Sequence, residues 1–98
     1  MSKVIVLGAG MVGSAMAIDM TSKHQVTLTD LSQEVLNKVK QRCNRLSILK
    51  LDATNKAELQ KTIKQHDLVI NAVPGFLGFE TLKSIIEADM NVIDIAFF

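Results

Sequence analysis

The chain has 98 residues, 48% hydrophobic and 21% charged, with a single proline; this is one domain's length, apolar enough to bury a core and without the composition of a disordered segment. Eleven Lys and Arg against ten Asp and Glu leave a net charge of +1, which excludes the basic footprint of a nucleic-acid partner or of a protein held on an anionic membrane. Cys43 is the only cysteine, so an internal disulfide and a cysteine-built zinc site are excluded and a reducing cytoplasm fits best. His24 and His66 lie far apart with no ligand-spaced companion, so both are expected at the surface and no metal is expected.

Lys3 to Leu7 reads as a continuous apolar strand. The longer run Val4 to Ile18 imitates a secretion signal, with Lys3 before it and Ala15-Met16-Ala17 in the place of a cleavage site. A signal has no use for glycines at Gly8, Gly10 and Gly13, and the sequence after Asp19 continues into another alternating strand. The run is also shorter than the ~20 residues of a membrane-spanning helix, and no membrane partner is expected.

Met11 to about Ser22 has helical spacing, with Ala15 and Ala17 small enough for close approach to a sheet and Met11, Met16 and Met20 read as packing residues about one turn apart. Gln25 to Thr29 is the second strand. Asp30 and Leu31 lead to Ser32, a good N-cap, and the helix from Gln33 to about Arg42 sets Val35, Leu36 and Val39 on one face. Leu46 to Leu51 reads as the third strand, with Asp52-Ala53-Thr54 as the loop after it. Asn55 and Glu58 have capping-box spacing and open a third helix with an apolar stripe of Leu59 and Ile63. Asp67 to Asn71 is a fourth, buried strand; Ala72 to about Gly78 is a loop and helix entry, a fourth helix runs on to about Ala88, and Val92 to Ile95 is a fifth strand.

Strands alternating with helices predict an α/β fold: a three-layer, Rossmann-like, doubly wound parallel sheet with right-handed crossovers and strand order 3-2-1-4-5. A full sheet of this kind carries a sixth strand, missing here, and the sequence closes on the apolar Ile95-Ala96-Phe97-Phe98. Residues 1–98 are therefore expected to be one domain, an N-terminal fragment of a longer chain.

Gly8-Ala9-Gly10-Met11-Val12-Gly13 fits G-x-G-x-x-G at the strand-to-helix turn. Gly8 permits the tight turn, Gly10 lets backbone approach a pyrophosphate, and Gly13 lets the helix lie against the strand. The anion then faces N–H groups near Met11 and Val12 at the positive end of the helix dipole. Asp30, twenty residues beyond Gly10, can accept from the ribose 2′- and 3′-hydroxyls and would repel a 2′-phosphate. That favours NAD over NADP, unless the fold swings Arg42 or Arg45 into place.

Asp52 can accept from an adenine amino group while the Ala53 N–H donates to a ring nitrogen, or it can cap the following helix. Asn71-Ala72-Val73-Pro74-Gly75 crosses the crevice outside the carboxyl ends of the strands, where backbone groups of Ala72 and Val73 can line a second ribose and Pro74 stiffens the loop; an ordinary turn is the competing reading. Asp94 either faces the nicotinamide end or simply finishes the fifth strand. Cys43 reads as structural or surface, with Arg42 and Arg45 near enough in sequence to lower its pKa.

V-I-V-L-G-A-G-M-V-G from Val4, T-L-T-D ending at Asp30, L-K-L-D-A-T-N from Leu49 to Asn55 and D-L-V-I-N-A-V-P-G-F-L-G from Asp67 to Gly78 together resemble the N-terminal cofactor domain of the saccharopine dehydrogenase family, which includes lysine 6-dehydrogenases. N-A-V-P-G-F and the closing V-I-D-I-A-F-F carry the resemblance most specifically. It implies an NAD(P)-dependent oxidoreductase in which this domain holds the cofactor through Gly8, Gly10, Met11, Val12 and Gly13, with Asp30, Asp52, Ala72, Val73 and Pro74 at its other contacts. A second domain would close over an amino-acid substrate and supply the catalytic groups, hydride passing between the nicotinamide and the carbon of a C–N bond. The fragment alone would bind nucleotide and turn nothing over. Regulatory nucleotide-binding domains of potassium transporters and channels share the glycine motif and the Asp52-Ala53-Thr54 loop, and Val73-Pro74-Gly75-Phe76 tells against them. Sheets of this type pair through an outer helix or an edge strand, which leaves a homodimer open.

Overall fold

The computed structural model describes residues 2–95. The elements alternate as expected: β1 (Lys3–Leu7), α1 (Met11–Met20), β2 (Gln25–Asp30), α2 (Gln33–Arg42), β3 (Ser47–Lys50), α3 (Lys56–Ile63), β4 (Leu68–Asn71), α4 (Gly75–Glu87) and β5 (Val92–Asp94). All strand pairs are parallel, in the order β3-β2-β1-β4-β5. Each pair of successive strands needs a crossover, and the helices supply it on both faces of the sheet.

The period of two along a strand divides the core. Val4 and Val6 point to one face, where Val26, Leu28, Ile70, Leu36 and Val39 join them; Ile5 and Leu7 point to the other, against Val69, Leu59, Ile63 and Ile85. Because both faces of β1 are covered from Val4 to Leu7, it is apolar there without interruption, and each fully buried Leu, Ile or Val stabilises by about 1.5–3 kcal/mol relative to exposure. Leu7 lies level with Thr29 and Asn71, Asp30 with Lys50, and Asn71 with Asp94. The carboxyl ends of the strands thus come out along one edge, and the loops that leave them meet there.

Helix boundaries follow local chemistry. Ser32 caps α2 by accepting from the Val35 N–H at 3.3 Å, and Asn55 caps α3 by accepting from the Glu58 N–H at 3.2 Å. The capping box at α3 is not reciprocal: the Asn55 N–H donates to the Asp52 carbonyl, so Glu58 meets only the Asn55 side-chain amide, at 3.4 Å. α1 stops at Met20, two residues short of Ser22, because the N–H and hydroxyl of Thr21 both bind the Ile18 carbonyl.

Other expectations need correction. Met11 is 90% exposed and not a packing residue, since the first position of α1 stands beyond the sheet edge; Met16 and Met20 do pack on the core. Val35 is exposed while Leu36 and Val39 are buried, because one step along a helix turns a side chain by about 100° out of a narrow stripe. The segment read as loop and helix entry holds the start of α4 at Gly75, with Pro74 at its N-cap, where a missing N–H costs nothing. His24 and His66 are half-buried instead of standing free on the surface. They sit in the turns that enter β2 and β4, where they share a shallow cavity with Lys3 and Arg45 at the amino edge of the sheet. No helix among the described residues is long and apolar enough to cross a membrane.

Candidate functional site

The chain leaves central β1 for β2 on one side and returns to β4 on the other, and such a reversal opens a crevice outside the carboxyl ends of the strands. A cavity of about 550 Å³ lies there, lined by Gly8, Ala9, Gly10, Met11, Val12, Gly13, Asp30, Leu31, Leu51, Asp52, Ala53, Thr54, Ala72, Val73, Pro74, Leu77 and Ile95. The fold brings together every residue that the sequence nominated for nucleotide contact. Ala9, Leu31, Leu51, Thr54, Leu77 and Ile95 escaped sequence reasoning. Leu31 and Leu77 left a usable signal: both are large apolar side chains outside the buried stripes, next to the acid of β2 and in the first turn of α4, and they stay 62% and 42% exposed.

The three glycines of the first loop answer to different constraints. Gly8 has φ +100°, and a Cβ there would lie 2.9 Å from the Ala72 carbonyl oxygen; a Cβ on Gly13 would lie 2.1 Å from the Gly8 carbonyl oxygen. The fold itself requires glycine at both. At Gly10 the backbone is extended, φ −70° and ψ −173°, and a Cβ would meet nothing within 4 Å among the described residues. The fold places no demand on residue 10, so the absent side chain serves the open space in front of α1.

That space faces a helix start without local compensation. α2 and α3 have the side-chain caps Ser32 and Asn55 and the first-turn acids Glu34 and Glu58. α1 has neither a side-chain cap nor a first-turn acid, and the same holds for α4, which also starts at the crevice. The N–H groups opening α1 and the positive end of its dipole therefore suit an anion lying over Gly10.

Asp30 joins two sides of the site. One carboxylate oxygen accepts from the Ala9 N–H and the other from the Ser32 N–H, each at 3.0 Å, so it ties the glycine loop to the start of α2. Each oxygen keeps a second lone pair for a further donor. The fold does not swing either arginine toward it: Arg42 ends α2, which runs back from the crevice, and Arg45 lines the cavity at the opposite edge. Among the described residues, none that lines the crevice is Lys or Arg.

At the end of β3, one Asp52 oxygen accepts from the Thr54 hydroxyl at 2.6 Å and from the Thr54 N–H at 2.9 Å. The hydroxyl first, and the N–H next, hold the Asp52 carboxyl below the usual carboxylate range. Asn55 is the cap of α3, so the capping role considered for Asp52 belongs to its neighbour. Asp52 is left as an acceptor at the crevice, with Ala53 beside it.

At the end of β4, Asn71 is fully buried. Its amide donates to the Gly78 carbonyl at 3.0 Å and to Asp94 at 3.3 Å, and its oxygen accepts from the Val73 N–H at 3.3 Å. Asp94 is exposed, ends β5, and is absent from the residues lining the crevice. Phe97 and Phe98, expected just beyond it, lie outside the described residues. Cys43 packs against the core, 3.6 Å from the Thr21 hydroxyl; that contact first, with Arg45 a lesser influence, draws its thiol below the ordinary value.

A family model described as the saccharopine dehydrogenase NADP binding domain matches residues 4–97. The chain is also similar to solved structures. Apo saccharopine dehydrogenase (L-Glu forming) from Saccharomyces cerevisiae is 22% identical with a TM-score of 0.84, the match covering 100% of this chain and 22% of that one. The Bordetella bronchiseptica enzyme WbmG, solved in complex with NAD, is 13% identical with a TM-score of 0.73 over 95% of this chain and 36% of its own. A short-chain dehydrogenase/reductase from Veillonella parvula, solved in complex with NADP, is 14% identical with a TM-score of 0.66 over 95% and 46%. At these identities the structural likeness carries the fold alone. The chain spans less than a quarter of the length of the yeast enzyme.

Proposed function

The chain belongs to the family of saccharopine dehydrogenase NADP-binding domains, and from that premise we propose that it binds a nicotinamide dinucleotide for an oxidoreductase acting on the C–N bond of an amino acid. The observation that carries the reading is Gly10, a glycine that the fold does not need, standing before a helix start that has no side-chain cap. The pyrophosphate would lie over the N–H groups of Met11 and Val12. Asp30 would hold the adenosine ribose, Asp52 and Ala53 the adenine edge beside Leu31, and Ala72, Val73 and Pro74 the second ribose.

NAD is the proposed form. The family's name speaks of NADP, but a 2′-phosphate at Asp30 would meet a carboxylate and find no cationic side chain among the residues lining the crevice. Bound there, the dinucleotide supplies the ring that gives or accepts a hydride. This chain's part is to bind and orient it: the lining residues include no His, Lys or Cys to move a proton. The acid–base groups and the amino-acid site are assigned to a second domain, so the domain alone binds nucleotide without turnover. A regulatory role in a potassium transporter or channel has no observation in its favour.

Titration calorimetry of NAD into the protein tests the reading, with one site per chain expected. Gly10→Val should abolish binding while leaving the melting temperature little changed, since its Cβ enters open space. Full-strength NAD binding by a folded Gly10→Val protein would remove the cofactor from this crevice.

A further inference from the structure

We propose that Asn71 is a positioning residue for the nicotinamide half of the cofactor; the inference rests on the reading above. Asn71 closes β4, level with Leu7 of β1 and Asp94 of β5, and is fully buried beside the apolar Val69 and Ile70. An apolar residue would serve the core there, because a buried amide is tolerated only when its donors and acceptor are paired. The pairs it makes reach three separate segments: the Val73 N–H in the β4–α4 loop, the Gly78 carbonyl in the first turn of α4, and the Asp94 carboxylate at the end of β5.

Those segments border the β4 side of the crevice, while Asp30 and the β3 loop border the other. The end of β1 holds Ala72 without help from the Asn71 side chain, since the Ala72 N–H donates to the Leu7 carbonyl at 2.8 Å. From Val73 onward the loop has the Asn71 side chain as an anchor, and Pro74 caps α4 without a side-chain bond. The Asn71 side chain therefore ties the loop after Val73 and the start of α4 to the end of β4, and adds a side-chain bond to Asp94, whose backbone the β4–β5 pairing already holds. The ribose and ring at this end depend on it; the adenosine and pyrophosphate do not.

Asn71→Asp tests this by keeping the shape while removing both donations and setting a carboxylate against Asp94. NAD and ADP are titrated into wild-type and variant protein, because ADP carries the adenosine and pyrophosphate and lacks the second ribose and ring. The expected result is that NAD affinity falls by roughly tenfold, the scale of one or two lost hydrogen bonds, while ADP affinity holds. Parallel losses for NAD and ADP, or an unchanged preference for NAD in folded protein, would overturn the proposal. Should Asn71→Asp fail to fold, Asn71→Ser is read by the same criterion, since its hydroxyl can still accept from Val73 but cannot span to Gly78 and Asp94. Wild-type protein that binds neither ligand would bring down the function proposed above, and this inference with it; wild-type binding with an unaltered ratio in the variant brings down the inference alone.

Discussion

Asp30 has two duties, and they can be separated by measurement. Its carboxylate ties Ala9 to Ser32 in the protein itself, and it is proposed to receive the ribose hydroxyls. Asp30→Ala should loosen the glycine loop, costing about 1 kcal/mol of stability for each N–H left without its partner. That loosening weakens any dinucleotide. The ribose contact is specific, so the variant's NAD affinity should fall further than its NADP affinity, which gains from the loss of a like charge. Calorimetry with both cofactors decides the matter: if the ratio of the two affinities is the same in variant and wild type, Asp30 is only a fastener. The motif spacing alone could nominate this residue, because an acid at the end of the second strand has one well-defined neighbour in this topology. Its bonds to Ala9 and Ser32 were not legible, since they depend on how the first loop curls back over β2.

At the scale of elements, the helices divide by the way they begin. α2 and α3 close their own starts with Ser32 and Asn55, whereas α1 and α4, the two that open onto the crevice, have no side-chain cap. Ser32→Ala should therefore cost about 1 kcal/mol of stability, the usual value of an N-cap. Thermal or denaturant unfolding checks this, and a loss near zero would mean that Asp30, bound to the Ser32 N–H, already holds the turn. Elements with a regular stripe were legible, as with Leu59 and Ile63 of α3. Val35 and Met11 were not, because periodicity tells which side chains share a face and says nothing about where the neighbouring sheet ends. The start of α4 was legible only to within a few residues, because Pro74-Gly75 is turn punctuation in sequence and a helix start once Asn71 ties the first turn to β4.

For the whole molecule, the site exists only when both halves of the sheet are assembled, since its walls come from the loops after β1, β2, β3 and β4. A ligand of that site binds folded protein and not the open chain. At a hundred times its dissociation constant NAD should add about 2.7 kcal/mol to stability, a rise of roughly 10–20 °C in the melting temperature of a domain this size. Differential scanning fluorimetry reads this directly, and an unmoved midpoint at saturating NAD would contradict binding across the crevice. The alternation of strands and helices, the strand order and the glycine–acid pair were determined by the sequence alone, because periodicity, caps and turn glycines act over a few residues and parallel strands allow few connections. Only the tertiary structure decided that Gly10 is free of the fold while Gly8 and Gly13 are bound by it, that neither arginine reaches Asp30, and that Asn71 anchors one wall of the crevice. These are matters of distance between segments remote in sequence, and nothing but the packed sheet sets such distances.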